Sequence, residues 1–351
     1  MYKLLSIILF AQIIFGQAPE GICGTQPMPV EQVLEIKNGI EQTVQGRFRD
    51  SSAVHILVAW HEIQTESGLG YNSIDAINAC IEALNDDYLP HNIFFTLDTV
   101  NRVVNDNWFN NWYDIHVDGM VELNYDPYHY LNIYTADLLS AGVQGFAYLG
   151  NQFASSHPQQ SVNLDHDRIN STWVVTHEVG HHLGLPHTFQ GDCSEPNDGI
   201  DDTPQHNESG LWSCNSSQDT CPNDPGNDPV TNYMNYSGSC QNEYTVGQVE
   251  WQHYMTENYH PGYLENNFNY PALSVSAMSF LQDTDGDNRF NPGDTSRVKI
   301  VLANEWGGDA VNVSLTLESD DPRITILDNY ISFNDSPLGD IIIPAGEISS
   351  T

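Results

Sequence analysis

The sequence predicts a mixed α/β (α+β) domain, a sheet with helices, followed by an all-β, sandwich-like module. Three observations carry this reading. Up to about residue 262, β-rich apolar runs alternate with amphipathic helical stretches. The segment 190–240 is rich in Gly, Pro, Asn, Asp and Ser and shows little apolar periodicity. From 263 onward, apolar and polar residues alternate, with turns about every eight to twelve residues. With 351 residues the chain exceeds one average domain, and 40% hydrophobic with 11% aromatic residues is a globular composition.

The N-terminus, "MYKLLSIILFAQIIFGQ", sets one lysine before an apolar stretch and then Gly16. This reads as a secretory signal peptide over 1–16, too short for a membrane span. No later run reaches spanning length, so a secreted, soluble product is expected, extracellular or at the cell surface, and disulfides become available to it. Residues 17–49 are weakly patterned and end in "GRFRDSS". "AVHILVAWHEI" (53–63) reads as a buried strand. "NSIDAINACIEALNDDYL" (72–89) sets Ile74, Ile77, Ile81 and Leu84 on one helical face, with Asn72 or Ser73 as cap. "NIFFTLDTV" and "YLNIYTADL" read as strands, "GFAYLG" as a short extended piece and "SVNLD" as an edge strand. A helix is expected to start near Asn170–Ser171. The alternating pattern beyond 263 still runs at "IIIPAGEISST", so the second module is expected to be incomplete, with further domains expected beyond it.

Ten Lys+Arg against 47 Asp+Glu give a net charge of −37. A polyanion repels nucleic acid and anionic membranes, which excludes both as partners. The sequence carries no signal for oligomeric state.

The chemistry concentrates in "VVTHEVGHHLGLPHTF" (174–189). His177 and His181, four apart, project from one helical face within reach of a single ion. Glu178 lies between them and addresses a water at that ion. Gly184 falls where a helix would end, and a left-handed cap there turns the chain so that His187 returns as a third ligand. Three neutral imidazoles leave one tetrahedral position for water, the layout of a catalytic zinc site, where zinc lowers the water's pKa toward about 7. His182 falls outside the pattern and reads as a bystander. His61-Glu62 in "WHEIQ" lacks a second histidine four residues on and reads as strand.

The spacing H-E-x-x-H-x-x-G-x-x-H is the metzincin metallopeptidase signature. Together with "DGIDDTP", "NYMNYSGSC" and "YTVGQVEWQHYM", the segment "HEVGHHLGLPHTFQGDC" makes residues 50–262 resemble the pappalysin family, in its ulilysin/cytophagalysin-like group. The resemblance implies a twisted, mostly parallel sheet with an active-site helix, and activity as an endopeptidase on protein or peptide substrates. It implies His177, His181 and His187 as zinc ligands and Glu178 as general base and acid. It further implies Met234 as the floor of the site and Tyr236 as a movable phenol that stabilises the tetrahedral intermediate, against a plain core tyrosine. It also implies the disulfides Cys193–Cys221 and Cys214–Cys240, which spacing alone leaves open among three pairings.

"ICGTQP" (22–27) matches the family's prosegment motif, so Cys23 would hold the zinc in a latent proenzyme; the alternative is a Cys23–Cys80 disulfide. Activation would follow a cut after Arg47 or Arg49. Two stretches suggest calcium. "DTDGDNRFNPGD" sets Asp283, Asp285, Asp287, Arg289 (carbonyl) and Asp294 at EF-hand-like positions, against a solvated acidic turn. The resemblance implies a second site in "GDCSEPNDGIDDTP", with Asp198, Asp202 and Thr203 as candidates. Ulilysin-like enzymes favour a basic residue after the scissile bond, but Ser237-Gly238-Ser239 carries no acid to receive one. A different class of function is also open: a catalytically vestigial binding or adhesion protein that acts through its β-module.

Overall fold

The computed structural model describes residues 22–44 and 53–265 throughout, and eight strands with a few flanking residues between 273 and 350. The signal peptide, Arg47, Arg49 and the acidic loop Asp283–Asp294 lie outside the described residues. The chain divides into two compact units, Met1–Asn266 and Asn267–Thr351.

The first unit is built on β1 (Ile22–Cys23), β2 (Val54–Gln64), β3 (Ile93–Val104), β4 (Tyr130–Ala136), β5 (Val143–Ala147) and β6 (Ser161–Asp165). They form one sheet in the order β1-β5-β6-β4-β2-β3. The pairs β2–β3, β2–β4 and β4–β6 are parallel, and only β5–β6 runs antiparallel. β2 is buried along almost its whole length, as a parallel strand covered on both faces must be. "SVNLD" is not an edge strand: as β6 it sits between β5 and β4 with all five residues buried. The edge is instead completed by β1, which adds parallel to β5, an addition only the tertiary pairing reveals.

α1 (Val30–Val44), α2 (Ile74–Tyr88), α4 (Thr172–His182), α5 (Val246–Tyr259) and α6 (Pro261–Glu265) supply or adjoin the larger core, while α3 (Asp106–Leu123) supplies the smaller one. Ser73 caps α2 by accepting from the Ala76 amide. α2 buries Ile77, Cys80, Ile81, Leu84 and Tyr88, whereas Ile74, expected on that face, is 46% exposed in the first turn. α3 was not expected from the sequence. Its apolar residues are interrupted by Asn, Asp and His, yet Phe109, Trp112 and Met120 reach Tyr134, Val143 and Phe146, and Gly119 leaves room for the Trp112 ring. α5 begins in a reciprocal capping box between Thr245 and Gln248. The irregular stretch before it is closed by Cys193–Cys221 and Cys214–Cys240, while Cys23 and Cys80 carry no disulfide.

The second unit's described elements are strands: β7 (Leu273–Gln282), β8 (Thr295–Asn304), β9 (Ala310–Val311), β10 (Ser314–Thr316), β11 (Ile324–Ile326), β12 (Tyr330–Ser332), β13 (Asp335–Ser336) and β14 (Ile341–Ser350). They pair as an antiparallel sheet β11-β14-β8-β7 and two short ribbons, β10–β12 and β13–β9.

Candidate active site

α4 carries His177, Glu178 and His181, and every residue from Val174 to His182 is buried. The helix stops in a left-handed turn. The Leu185 amide bonds the Gly180 carbonyl at 2.9 Å and the Gly184 amide bonds the His181 carbonyl at 2.8 Å, with Gly184 at φ +88°. This pair of bonds is the Schellman closure that a glycine allows. It returns the chain so that His187 faces the two helical histidines.

The three Nε2 atoms stand 3.1 Å (His177–His181), 3.0 Å (His181–His187) and 3.3 Å (His177–His187) apart. His177 Nδ1 donates to the Tyr233 carbonyl at 2.6 Å and His181 Nδ1 to the Leu185 carbonyl at 2.7 Å. Those bonds leave the Nε2 lone pairs turned inward on each other. Burial holds His177 neutral, with its pKa lowered to about 4. It lowers His181 and His187 as well, with the neighbouring imidazoles adding to the effect. Three convergent, unprotonated nitrogens repel unless a cation sits between them. A tetrahedral zinc with bonds of about 2.0–2.1 Å would set its ligand nitrogens about 3.3 Å apart, so the donor set fits that ion.

A fourth donor faces this triangle. β1 presents Cys23, whose Sγ lies within 4.8 Å of the three histidine donor atoms. The Gly24 amide bonds the Gly145 carbonyl at 2.8 Å, continuing the parallel pairing with β5. Cys23 Sγ and Thr25 Oγ1 lie 3.4 and 3.3 Å from Glu178 Oε2. Burial pushes the Glu178 carboxyl up to about 8, against the lowering effect of those two contacts. Burial first, then the facing Glu178 charge, push the Cys23 thiol up. Gly145 matters here because a Cβ at that position would lie 2.8 Å from Glu178 Cγ.

Met234 is fully buried, and its Sδ lies 2.5 Å from where a Gly180 Cβ would stand, so the turn packs directly beneath α4. The half-buried Tyr236 sets its ring 4.9 Å from His187 and 5.7 Å from His177, and its hydroxyl donates to the Cys23 carbonyl at 3.4 Å. Burial raises its pKa, and Cys23 and Glu178 add to that. Trp212, which the sequence reading did not single out, packs its ring at a tilt of 31° on that of Tyr236, centroids 5.5 Å apart. Its amide bonds the Tyr236 carbonyl at 2.7 Å, and its backbone is held at φ 62°. Nothing in the local sequence announces this, because the Cys214–Cys240 link is what carries Trp212 to Tyr236.

His182 stays off the triangle, and its Nε2 is hydrogen-bonded with the Tyr263 hydroxyl at 2.8 Å. Asp198 and Thr203 lie together apart from it. Asp198 is fully buried, its Oδ1 accepts the Ile200 amide at 3.0 Å, and its Oδ2 has no hydrogen-bond partner among the described residues. Burial pushes its carboxyl up. Asp202 is committed elsewhere: it accepts from Thr245 Oγ1 and the Gly247 amide at the start of α5. Among the described residues, no helix is long and apolar enough to cross a membrane.

The profile of the peptidase family described as pregnancy-associated plasma protein-A matches residues 114–257. An extracellular metalloprotease of Pyricularia oryzae is 32% identical, over 64% of this chain and 85% of its own. An extracellular metalloprotease of Colletotrichum graminicola is likewise 32% identical, over 69% of this chain and 92% of its own. Among solved structures, metalloproteinase-II from Bacteroides fragilis aligns with 43% of this chain and 51% of its own, at 14% identity and a TM-score of 0.25, too slight a likeness to bear on the fold. With relatives matched over most of their length, the chain belongs to the pappalysin family of metalloproteases.

Proposed function

We propose that the protein is a secreted zinc-dependent endopeptidase made as a latent proenzyme, with His177, His181 and His187 as the metal ligands and Glu178 as the general base. The observation that carries this is the triangle of inward-facing Nε2 atoms with the Glu178 carboxyl beside it. Zinc, when bound there, supplies polarisation of the scissile carbonyl and a lowered pKa for water. Glu178 takes the proton from the attacking water and returns it to the leaving amine. The Tyr236 hydroxyl donates to the oxygen on which negative charge develops. Met234 keeps α4 in place from below.

Latency is supported by the prosegment's position. Residues 22–25 lie along the free edge of β5, the edge an extended peptide would pair with, and bring Cys23 to the histidines and Thr25 to Glu178. Met28, Val33 and Ile36 add to the main core, so a cut after Arg47 or Arg49 must be followed by release of α1. Calcium beside Asp198 and Thr203 belongs to the same proposal; what supports it is a buried carboxylate with one oxygen unpaired. We also propose a β-sandwich-like module with a second calcium loop at Asp283–Asp294; it begins after Asn266 rather than at 263, because α6 buries Tyr263 in the main core of the first unit. The relatives' extracellular names support secretion. A vestigial binding protein has no use for an intact Glu178 and three intact ligands.

The test is Glu178→Ala in the activated protein, measured for zinc content and casein hydrolysis. Full zinc with no hydrolysis is expected. Casein cleavage at the wild-type rate would remove Glu178 from the mechanism.

A further inference from the structure

A carboxylate remote from the ligand motif joins the two elements that aim His177. Asp87 is the penultimate residue of α2 and is half-buried. Its Oδ2 accepts from Thr176 Oγ1 at 2.6 Å, and its Oδ1 accepts from the Tyr233 hydroxyl at 2.6 Å. Thr176 precedes His177 on α4, and Tyr233 precedes Met234. The Tyr233 carbonyl is the acceptor for His177 Nδ1 at 2.6 Å, and Gln241 Nε2 also donates to it at 2.6 Å. Tyr244 closes the arrangement: its hydroxyl donates to the Thr176 carbonyl at 2.7 Å and is hydrogen-bonded with the Tyr88 hydroxyl at 2.8 Å, and its ring lies 4.9 Å from that of Tyr233.

The physical consequence follows from the bond types. Hydrogen bonds from hydroxyls to an ionised carboxylate are short and strong, and one carboxylate can hold two donors at a fixed separation. Here those donors belong to the ligand helix and to the methionine turn. Thr176 Oγ1 has a second acceptor within reach, the Thr172 carbonyl at 3.1 Å. The Tyr233 hydroxyl has only Asp87 among the described residues. Removing the carboxylate therefore frees the Tyr233 side of the bridge first, and leaves the carbonyl that sets the tilt of the His177 ring positioned only by the Gln241 bond and by the Tyr233 amide, which bonds the Glu243 carbonyl at 2.9 Å. Partners of that kind orient metal-binding imidazoles and tune their affinity.

We propose that Asp87 is a positioning residue for the metal centre, holding the Tyr233 carbonyl where it directs His177 Nε2 toward the ion. The proposal rests on His177 being a metal ligand.

The experiment uses the full chain and variants Asp87→Ala, Asp87→Asn and Tyr233→Phe. Zinc affinity is measured by competition with a chromophoric chelator, and melting temperature is recorded with and without metal. Asp87→Ala is expected to weaken zinc binding by about 10- to 100-fold. Tyr233→Phe should reproduce the loss with its ring and carbonyl still in place, and the double variant should be no weaker than Asp87→Ala. Asp87→Asn, which can still accept from one hydroxyl, should recover most of the affinity. Wild-type zinc affinity in Asp87→Ala, with only a lower melting temperature, would overturn the proposal; should that variant not fold, wild-type affinity in Tyr233→Phe would do so. A wild-type chain that binds no zinc would instead overturn the metal-centre reading itself.

Discussion

Replacing Gly184 by alanine separates two costs that meet at the end of α4. The first is conformational: Gly184 stands at φ +88°, where an L side chain costs about 1–2 kcal/mol. The second is steric. A Cβ there would lie 2.5 Å from Met255 Cε, 2.6 Å from Met255 Cγ and 3.1 Å from its Sδ. Met255 is fully buried in the main core, so it has nowhere to swing, and overpacking of this kind costs about 1–3 kcal/mol. Gly68 supplies the control. It has φ +87° and no atom within 4 Å of the corresponding Cβ, so Gly68→Ala meets the first cost alone. Thermal denaturation of the metal-free full chain should therefore place Gly184→Ala below Gly68→Ala. At about 2–4 °C per kcal/mol for a unit of this size, the gap is on the order of 2–12 °C. Zinc affinity should fall only in Gly184→Ala, because that turn aims His187. Equal melting temperatures for the two variants would refute the steric reasoning, and an unchanged zinc affinity would refute the link from the turn to His187.

If Cys23 holds the zinc as proposed, Cys23→Ser should leave the uncut chain folded but partly active, since a hydroxyl is a much poorer zinc ligand than a thiolate; hydrolysis of a fluorogenic peptide by the uncut chain checks this, and full latency would remove Cys23 from that role. His61 is buried in β2 with Nε2 2.8 Å from Asn132 Oδ1, and burial lowers its pKa to about 4 from an ordinary value near ~6.5. The unfolded chain then binds the proton more readily. Stability should fall as pH drops from about 6.5 to 4, by up to about 3 kcal/mol from this one residue. His61→Gln should flatten that part of the urea-denaturation profile against pH, and an unchanged slope would show that His61 does not set it. Glu178→Ala, as above, should separate metal binding from hydrolysis.

These tests also divide along what the sequence made legible. The spacing of His177, Glu178, His181 and Gly184 can be read directly, because helical geometry over a few residues is fixed by backbone period and by glycine's access to positive φ. Strands such as Val54–Gln64 were legible for the same reason, as short runs dominated by apolar, β-rich residues. α3 was not, because Asn and Asp interrupt its apolar pattern and burial against Tyr134 and Phe146 decides its conformation. Ser161–Asp165 was misread as an edge because five residues carry no information about their neighbours. Resemblance supplied the pairing of the four loop cysteines, which spacing could not.

By itself, then, the sequence determined the short-range chemistry: which side chains share a helical face, where the helix stops, and how acidic the chain is. Tertiary closure alone decided what surrounds that chemistry. Cys23 meets Glu178 across 155 residues, Asp87 meets Thr176 across 89 and Tyr233 across 146. Contacts at such separations depend on sheet order and packing, and no local periodicity encodes either. Asp87 shows the difference most plainly. In "NDDYL" it cannot be told from its neighbour Asp86, yet Asp86 is exposed while Asp87 ties Thr176 of α4 to Tyr233.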